Sequence, residues 1–322
     1  MQRRHLLLAT AGLATPFIAR AQGGYPGRTV RMVVPWPPGQ ATDLMARITG
    51  QRVSELWGQP IIPENRAGAG GMIGTDAVAK AAPDGYTILA ASTGPITTAP
   101  LVQRTPYDPE KDFAPVAMIG VSPFVLIGAT QVAAPTLKEF VALAKARPGS
   151  LSYASAGTGT LAHLAGELFK NKAGIEVTHV PYRGSAQSMI DLMQGRIDLS
   201  VSTIPPTLQH IREGKLRAFA TMSEKRNASL PEVPTVAEAG VPGCEAALWT
   251  AVVVPAGVPA DIIKKLNTAV LAAVATPDIR QALTIQGVDP EPGPPEAVGE
   301  RIKADIVKWK DVVAAAKITG TQ

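Results

Sequence analysis

Short apolar runs alternate with stretches whose apolar residues recur at helical spacing along nearly the whole chain, and this alternation limits the fold more than any other feature. A run of that length suits a strand covered on both faces, and a stripe suits a helix lying against it, so the pattern argues for an α/β protein with mostly parallel sheets. The runs predict strands over Val30–Pro35, Pro60–Pro63, Thr87–Ala91, Val116–Ile119, Phe124–Ile127, Ser152–Ala154, Val177–Val180, Ile197–Val201, Ala218–Thr221 and Thr250–Val254. The stripes predict helices over Asp43–Trp57, Ile73–Ala81, Thr136–Ala146, Leu161–Lys170, Ala186–Met193, Thr207–Glu213, Ala260–Ala275, Pro277–Ile285 and Pro295–Ala315. Pro148-Gly149 stops the Thr136 helix, and Pro277 follows the stripe Ile262, Ile263, Leu266, Val270 and Val274. No repeat or low-complexity linker interrupts the pattern. Two domains without a flexible joint fit a chain that crosses between them more than once.

The N-terminus carries an export signal. Met1–Arg4 is short and basic, Leu6–Ala19 is uncharged and apolar, and Ala19 and Ala21 have the small-residue spacing that signal peptidase reads. Cleavage after Ala21 is expected. The apolar stretch is short for a membrane span, which needs about 20 residues. Arg3-Arg4 before His5-Leu6-Leu7 loosely matches a twin-arginine signal as well. The most hydrophobic later stretch, Ala246–Val254, is broken by Pro255 and Pro259, so no membrane insertion of the mature chain is expected.

Removing residues 1–21 takes away Arg3, Arg4 and Arg20. The 31 basic residues become 28 against 26 acidic ones, so the net charge falls from +5 to +2. No basic block with interleaved aromatics remains, which argues against nucleic acid as a partner. Cys244 is the single cysteine, which excludes an internal disulfide and any multi-cysteine metal or iron–sulfur site. No cofactor is expected. Gly68–Gly74 follows a short strand, but Ile73 stands where a dinucleotide fingerprint needs glycine or alanine.

Five loops that follow predicted strands are rich in small and turn-forming residues: Trp36–Thr42, Ser92–Ile96, Ser155–Thr160, Tyr182–Ala186 and Ser202–Pro206. In open α/β sheets ligands gather beyond the carboxyl ends of the strands, where such loops meet. Free N–H groups at the helix starts, with the helix dipole, favour an anion there.

The same residues resemble a family. Val33-Val34-Pro35-Trp36-Pro37-Pro38-Gly39-Gln40-Ala41-Thr42-Asp43 is similar to the first cleft loop of the Bug/TctC proteins, the extracytoplasmic solute receptors of tripartite tricarboxylate transporters. The likeness continues through Glu64–Gly71, Pro83–Thr87, Tyr107-Asp108 with Lys111–Val116, Pro148-Gly149, Tyr153–Thr160 with His163–Phe169, Val180–Gly184, Gly214–Arg217 and Val233–Gly240. It implies a two-domain periplasmic-binding-protein fold of the type II kind, with the ligand in a cleft between domains. The chain would leave its first domain near Phe124–Ile127 and return near Leu248–Val254. That gives a signal peptide over 1–21, a first domain of 22–124 plus 248–322, and a second of 125–247.

The resemblance further implies a periplasmic monomer that is not an enzyme, takes a small carboxylate and serves membrane transporter subunits. The same fold could instead serve a signalling partner, and a secreted hydrolase on this scaffold or an envelope interaction protein are further alternatives. Carried onto this chain, the ligand contacts fall on Trp36, Pro38, Gly39, Gln40, Thr42 and Asp43, on Ser92 and Thr93, and on Ser155, Ala156, Gly157, Thr158, Gly159 and Thr160. Tyr182, Arg183 and Gly184 follow, with Ser202 and Thr203. His163 joins them because it opens a helix at the cleft, although an i,i+4 pair with Glu167 also accounts for it. Ser155 lacks the glycine-flanked elbow of a nucleophile, since Tyr153 and Gly157 flank it. Two residues depart from the family. Gln40 follows Gly39 where two glycines are usual, and Ser202 stands where an aspartate is often found. A carboxylate without an ammonium group is the expected ligand class.

Overall fold

The computed structural model describes residues 24–318, so the expected export segment lies outside the described residues. The chain opens with β1 (Val30–Val34), α1 (Ala41–Trp57) and β2 (Ile61–Asn65), then a 3-10 turn at Ala69–Gly71, α2 (Met72–Ala79) and β3 (Thr87–Ser92). A π-helical turn (Gly94–Thr98) and α3 (Ala99–Val102) lead to the long β4 (Phe113–Ala129). Next come α4 (Leu137–Ala146), β5 (Ser152–Ser155), α5 (Leu161–Ala173), β6 (Thr178–Pro181), α6 (Ser185–Met193), β7 (Leu199–Thr203), α7 (Leu208–Arg212) and β8 (Leu216–Thr221). The chain closes with β9 (Ala247–Pro255), α8 (Ala260–Ala275), α9 (Pro277–Thr284), β10 (Asp289–Gly293) and α10 (Pro295–Ala316).

Local chemistry accounts for several boundaries. Thr136 and Glu139 form a reciprocal cap at the start of α4, with the Thr136 hydroxyl accepting from the Glu139 N–H and the Glu139 carboxylate accepting from the Thr136 N–H. Gly58 ends α1 and Gly174 ends α5 in the left-handed conformation that glycine adopts without strain. Residues Met32–Val34 of β1 and Ile88–Ala91 of β3 are all buried, as strands covered by helices on both faces must be. Leu266, Val270 and Val274 of α8 and Trp309 of α10 pack into one hydrophobic cluster, and Val298 of α10 into a second.

The strands run in the order β2-β1-β3-β9-β4-β7-β5-β6, with β10 and β8 also paired to β4. The mostly parallel sheet expected from the alternation is only half right. The flanks β2-β1-β3 and β7-β5-β6 are parallel, whereas β9 pairs antiparallel with β3 and β4, and β4 pairs antiparallel with β7, β8 and β10. The reason is connectivity: β4 carries the chain out of one half and β9 brings it back, so the two must run in opposite directions.

The strands expected at Val116–Ile119 and Phe124–Ile127 are one element. Residues Phe113–Pro123 of β4 pair with β9, while Phe124–Gly128 pair with β7 on one side and Val125–Ala129 with β8 on the other. Gly120 and Pro123 look like breakers in the sequence. Gly120 is needed because a Cβ there would lie 2.8 Å from the Asp289 carbonyl oxygen of β10. Pro123 stands where β4 exchanges one set of neighbours for the other. Strand β10, Asp-Pro-Glu-Pro-Gly, was not expected; with two prolines it can only border the sheet. Each half of β4 thus belongs to a separate lobe.

Candidate functional site

Three helices begin at one place. α1 starts after Gln40, α5 after Thr160 and α6 after Gly184, and in none does a side chain cap the first turn. Their first N–H groups have no acceptor within the helix and carry the positive end of its dipole. Residues from all three starts line one cavity of about 40 Å³: Gln40, Ala41 and Thr42; Thr160, Leu161 and Ala162; Ser185 and Ser188. Trp36, Gly94, Phe124, Ala156, Val201, Ser202, Thr203 and Leu248 complete the wall, which among the described residues contains no charged side chain. Phe124 and Leu248 belong to the two crossings, so the cavity lies against the junction of the lobes.

A wider groove of about 730 Å³ shares Trp36, Ala156 and Thr160 with that cavity. Its other walls are Pro37 with Ala67–Met72 on one lobe and Gly157, Thr158 and Pro181–Gly184 on the other. Chamber and groove thus form one interlobe cleft, apolar at the inner end and more polar outside.

Of the residues expected at the ligand, Trp36, Gln40, Thr42, Ala156, Thr160, Ser202 and Thr203 line the inner chamber. Gly157, Thr158, Tyr182, Arg183 and Gly184 line only the outer groove. Pro38, Gly39, Asp43, Ser92, Thr93, Ser155, Gly159 and His163 line neither, and most of these hold the wall from behind. Ser92 accepts from the Trp36 indole N–H at 2.8 Å, and the Thr93 hydroxyl accepts from the Trp249 N–H at 3.0 Å. Thr93 leads into the π-helical turn, a distortion often found at functional sites, which brings Gly94 to the wall.

The Asp43 carboxylate is fully engaged. It accepts from the Gly39 N–H at 2.9 Å, the Asn65 amide at 2.8 Å and the Arg47 guanidinium at 3.0 Å. Burial alone would raise its pKa, but these donors outweigh burial and hold it below the usual aspartate value. Asp43 therefore fixes the bend of the first loop and offers no free charge to the chamber.

Behind the Ser155–Thr160 loop lies a polar cluster. The Ser155 hydroxyl is 2.7 Å from His179 Nε2, the ring of His179 stacks on that of His163, and His163 Nδ1 accepts from the Gly159 N–H at 3.1 Å. The Tyr153 hydroxyl donates to Glu167 at 2.6 Å, and Lys170 pairs with the same carboxylate at 2.8 Å. Burial, with Glu167 alongside, raises the Tyr153 pKa. Nothing in the sequence alone singles out His179. The parallel register Tyr153↔His179 puts it beside Ser155. The chamber residues that were not among the expected ligand contacts are Ala41, Leu161, Ala162, Ser185 and Ser188 at the helix starts, Gly94 in the π-helical turn, Val201 on β7, and Phe124 and Leu248 at the two crossings.

A continuous β4, parallel flanks and a ligand-sized cleft between lobes define a two-domain periplasmic-binding-protein fold, and solved structures of that class match it closely. The family model described as "Tripartite tricarboxylate transporter family receptor" matches residues 45–318, and the chain belongs to that family. It is a solute-binding receptor. BugT of Bordetella pertussis is 39% identical over 310 residues, covering 96% of this chain and 94% of that protein. The Rhodopseudomonas palustris protein Rpa4515, solved with adipate, is 37% identical with a TM-score of 0.89, covering 92% of this chain and 99% of its own. MatC from the same organism, solved with malate, is 33% identical with a TM-score of 0.82, covering 90% and 100%.

Proposed function

We propose that this receptor is exported, loses residues 1–21 after Ala21, and captures a small carboxylate without an ammonium group for the membrane subunits of a tripartite tricarboxylate transporter. It works as a monomer of two domains, 22–124 plus 248–322 and 125–247, that hinge at Phe124–Ile127 and Leu248–Val254. The observation that carries this reading is the meeting of three uncapped helix starts at a chamber walled by no charged side chain. Such a chamber stabilises an anion through backbone N–H groups and dipoles. An ammonium group buried there would lack a counter-charge, which is costly, and Asp43 is already committed to three donors. The adipate and malate in related structures are carboxylates of this kind.

The ligand contacts are assigned to Trp36, Gln40, Thr42, Ala156, Thr160, Ser202 and Thr203, with Ser185 and Ser188 added. Arg183 faces the outer groove, where it would meet a second carboxylate on a longer ligand. The chain is not an enzyme in this reading. Ser155 and His179 have the spacing of a nucleophile and base, but Ser155 is 1% exposed and borders neither chamber nor groove.

A thermal-shift screen of protein stripped of ligand tests the reading, using adipate, malate and the matched pair succinate and aspartate. A compound present at 100 times its Kd adds about 2.7 kcal/mol of stability. A clear rise is expected for at least one non-amino carboxylate, with succinate above aspartate. Flat curves throughout, or the reverse order, would overturn it. The mature mass of the periplasmic protein tests the cleavage site.

A further inference from the structure

Gln40 reaches across the cleft. Its side-chain amide donates to the Ser185 hydroxyl at 2.7 Å, joining the loop before α1 on one lobe to the first residue of α6 on the other. The approach is close on both sides: a Cβ on Gly184 would lie 3.6 Å from Pro37 Cγ and 3.8 Å from the Gln40 amide nitrogen. Other bonds between the lobes lie away from the cleft. The Asn227 amide bonds the Asp289 carboxylate and Arg212 bonds the Ile285 carbonyl, beside β10 and its pairing with β4, and Lys308 of α10 donates to the Glu245 carbonyl at 2.7 Å. Gln40–Ser185 alone among these four is built from side chains that line the ligand chamber.

We propose that Gln40 is a positioning and specificity-determining residue that tethers the lobes together before any ligand arrives and fixes the role of Ser185 toward it. With glycine at position 40, closure would rest on the ligand and on backbone contact alone. With glutamine, the closed arrangement gains a bond that owes nothing to the ligand. A net hydrogen bond shifts such an equilibrium by roughly two- to tenfold.

The chemistry at Ser185 follows from the donor inventory. An amide N–H can only donate, so the Ser185 oxygen accepts from Gln40 and its own proton is left to donate elsewhere. Ser185 borders the chamber, so that proton is directed to a bound carboxylate oxygen. This second part rests on the carboxylate reading above; the tether does not.

Two arms test the proposal and separate it from that reading. The first uses no ligand. Protein unfolded in guanidinium and refolded to strip bound solute carries spin labels at cysteines introduced at Glu55 and Lys138, both exposed and on different lobes, while Cys244 stays buried. Dipolar distance measurement should show a mainly short separation, and Gln40→Gly and Ser185→Ala should each lower the short-to-long ratio roughly two- to tenfold. Identical distributions in all three proteins would overturn the tether.

The second arm is calorimetry with adipate and malate. Gln40→Glu turns the donor into an acceptor that takes the Ser185 proton, so its affinity should fall at least tenfold below that of Gln40→Gly. Equal affinities would overturn the assigned role of Ser185. Should neither compound bind the unaltered protein, the carboxylate reading loses its support and the role of Ser185 falls with it, while the distance measurement still decides the tether.

Discussion

The imidazole rings of His163 and His179 lie nearly parallel in the second lobe, with centroids 3.9 Å apart and planes inclined by 11°. Two cations could not be held face to face at that distance. His163 must also keep Nδ1 unprotonated to accept from the Gly159 N–H. Burial lowers both pKa values; Glu167, 4.0 Å from His163, opposes this, and Lys170 adds to it. For His179 the neighbouring His163 assists burial, and its pKa is pushed down to about 3.

The sign of the pH dependence follows. An unfolded histidine takes up its proton near pH 6.5; folded His163 resists protonation below that value, and folded His179 resists it to much lower pH. Stability should therefore be unaffected above pH 6.5 and fall below it, with His179 contributing up to about 1.4 kcal/mol per pH unit as the pH drops toward 3 and His163 acting in the same direction. Urea denaturation between pH 7.5 and 4.5 measures this, and His179→Gln should flatten the slope. Asp43, whose pKa is lowered, contributes stability that is lost only below the ordinary aspartate range, so the two effects separate. A midpoint independent of pH in this window would contradict the account.

Gly159 separates backbone strain from closure. Its φ is +73°, and a Cβ there would lie 2.8 Å from Val102 Cγ2 on the opposite lobe. Gly149 has a similar φ of +71° with nothing within 4 Å of the added atom. Gly149→Ala should cost about 1–2 kcal/mol of stability from the left-handed backbone alone and leave binding unchanged. Gly159→Ala should bear the same strain and also lose tenfold or more in affinity, about 1.4 kcal/mol, for whichever screened carboxylate raises the melting temperature. Calorimetric titration of both variants decides it.

Replacing Asp43 tests its supporting role. Asp43→Ala leaves the Gly39 N–H, the Asn65 amide and the Arg47 guanidinium without their shared acceptor. A loss of about 1–3 kcal/mol is expected, as for a buried donor left unpaired, with Asp43→Asn costing less because one acceptor remains. Urea midpoints give the values.

Cys244 should be silent in the folded protein. It is fully buried and its thiol donates to the Val241 carbonyl oxygen at 3.1 Å. Burial, with Glu245 adding to it, pushes the thiol up to about 12. The thiolate is the reactive form. No labelling by a thiol reagent is expected at pH 7.5, and full labelling in concentrated guanidinium.

Much of this was legible in the residues. The period of the apolar runs placed β1, β3 and β5 within a residue or so, and the stop at Pro148-Gly149 placed the end of α4, whereas α5 runs three residues past Lys170 to Ala173. What sequence could not show was register. Nothing local says that His179 lies opposite Tyr153 and so reaches Ser155, or that Gly120 is glycine because β10 comes against it. Asp43 looked like a ligand contact because it follows a cleft loop, yet its neighbours on β2 and one turn along α1 consume its charge. Gln40 was visible as a departure, but its partner lies 145 residues away. Composition fixed the kind of loop, and only the fold decides which loops meet.

The passage of β4 through both lobes also sets an order of assembly. The strands β4 to β8 are contiguous in the chain, so the second lobe holds all its sheet partners once residue 221 has been made. The first lobe begins earlier and finishes later, because Leu89 of β3 pairs with Val253 of β9. Until β9 arrives, β3 presents an unpaired, almost wholly apolar edge, the kind of surface on which chains join to one another. The lobe synthesised first is therefore the one completed last, and a chain cut short before β9 would carry a folded second lobe beside an open, adhesive half-sheet.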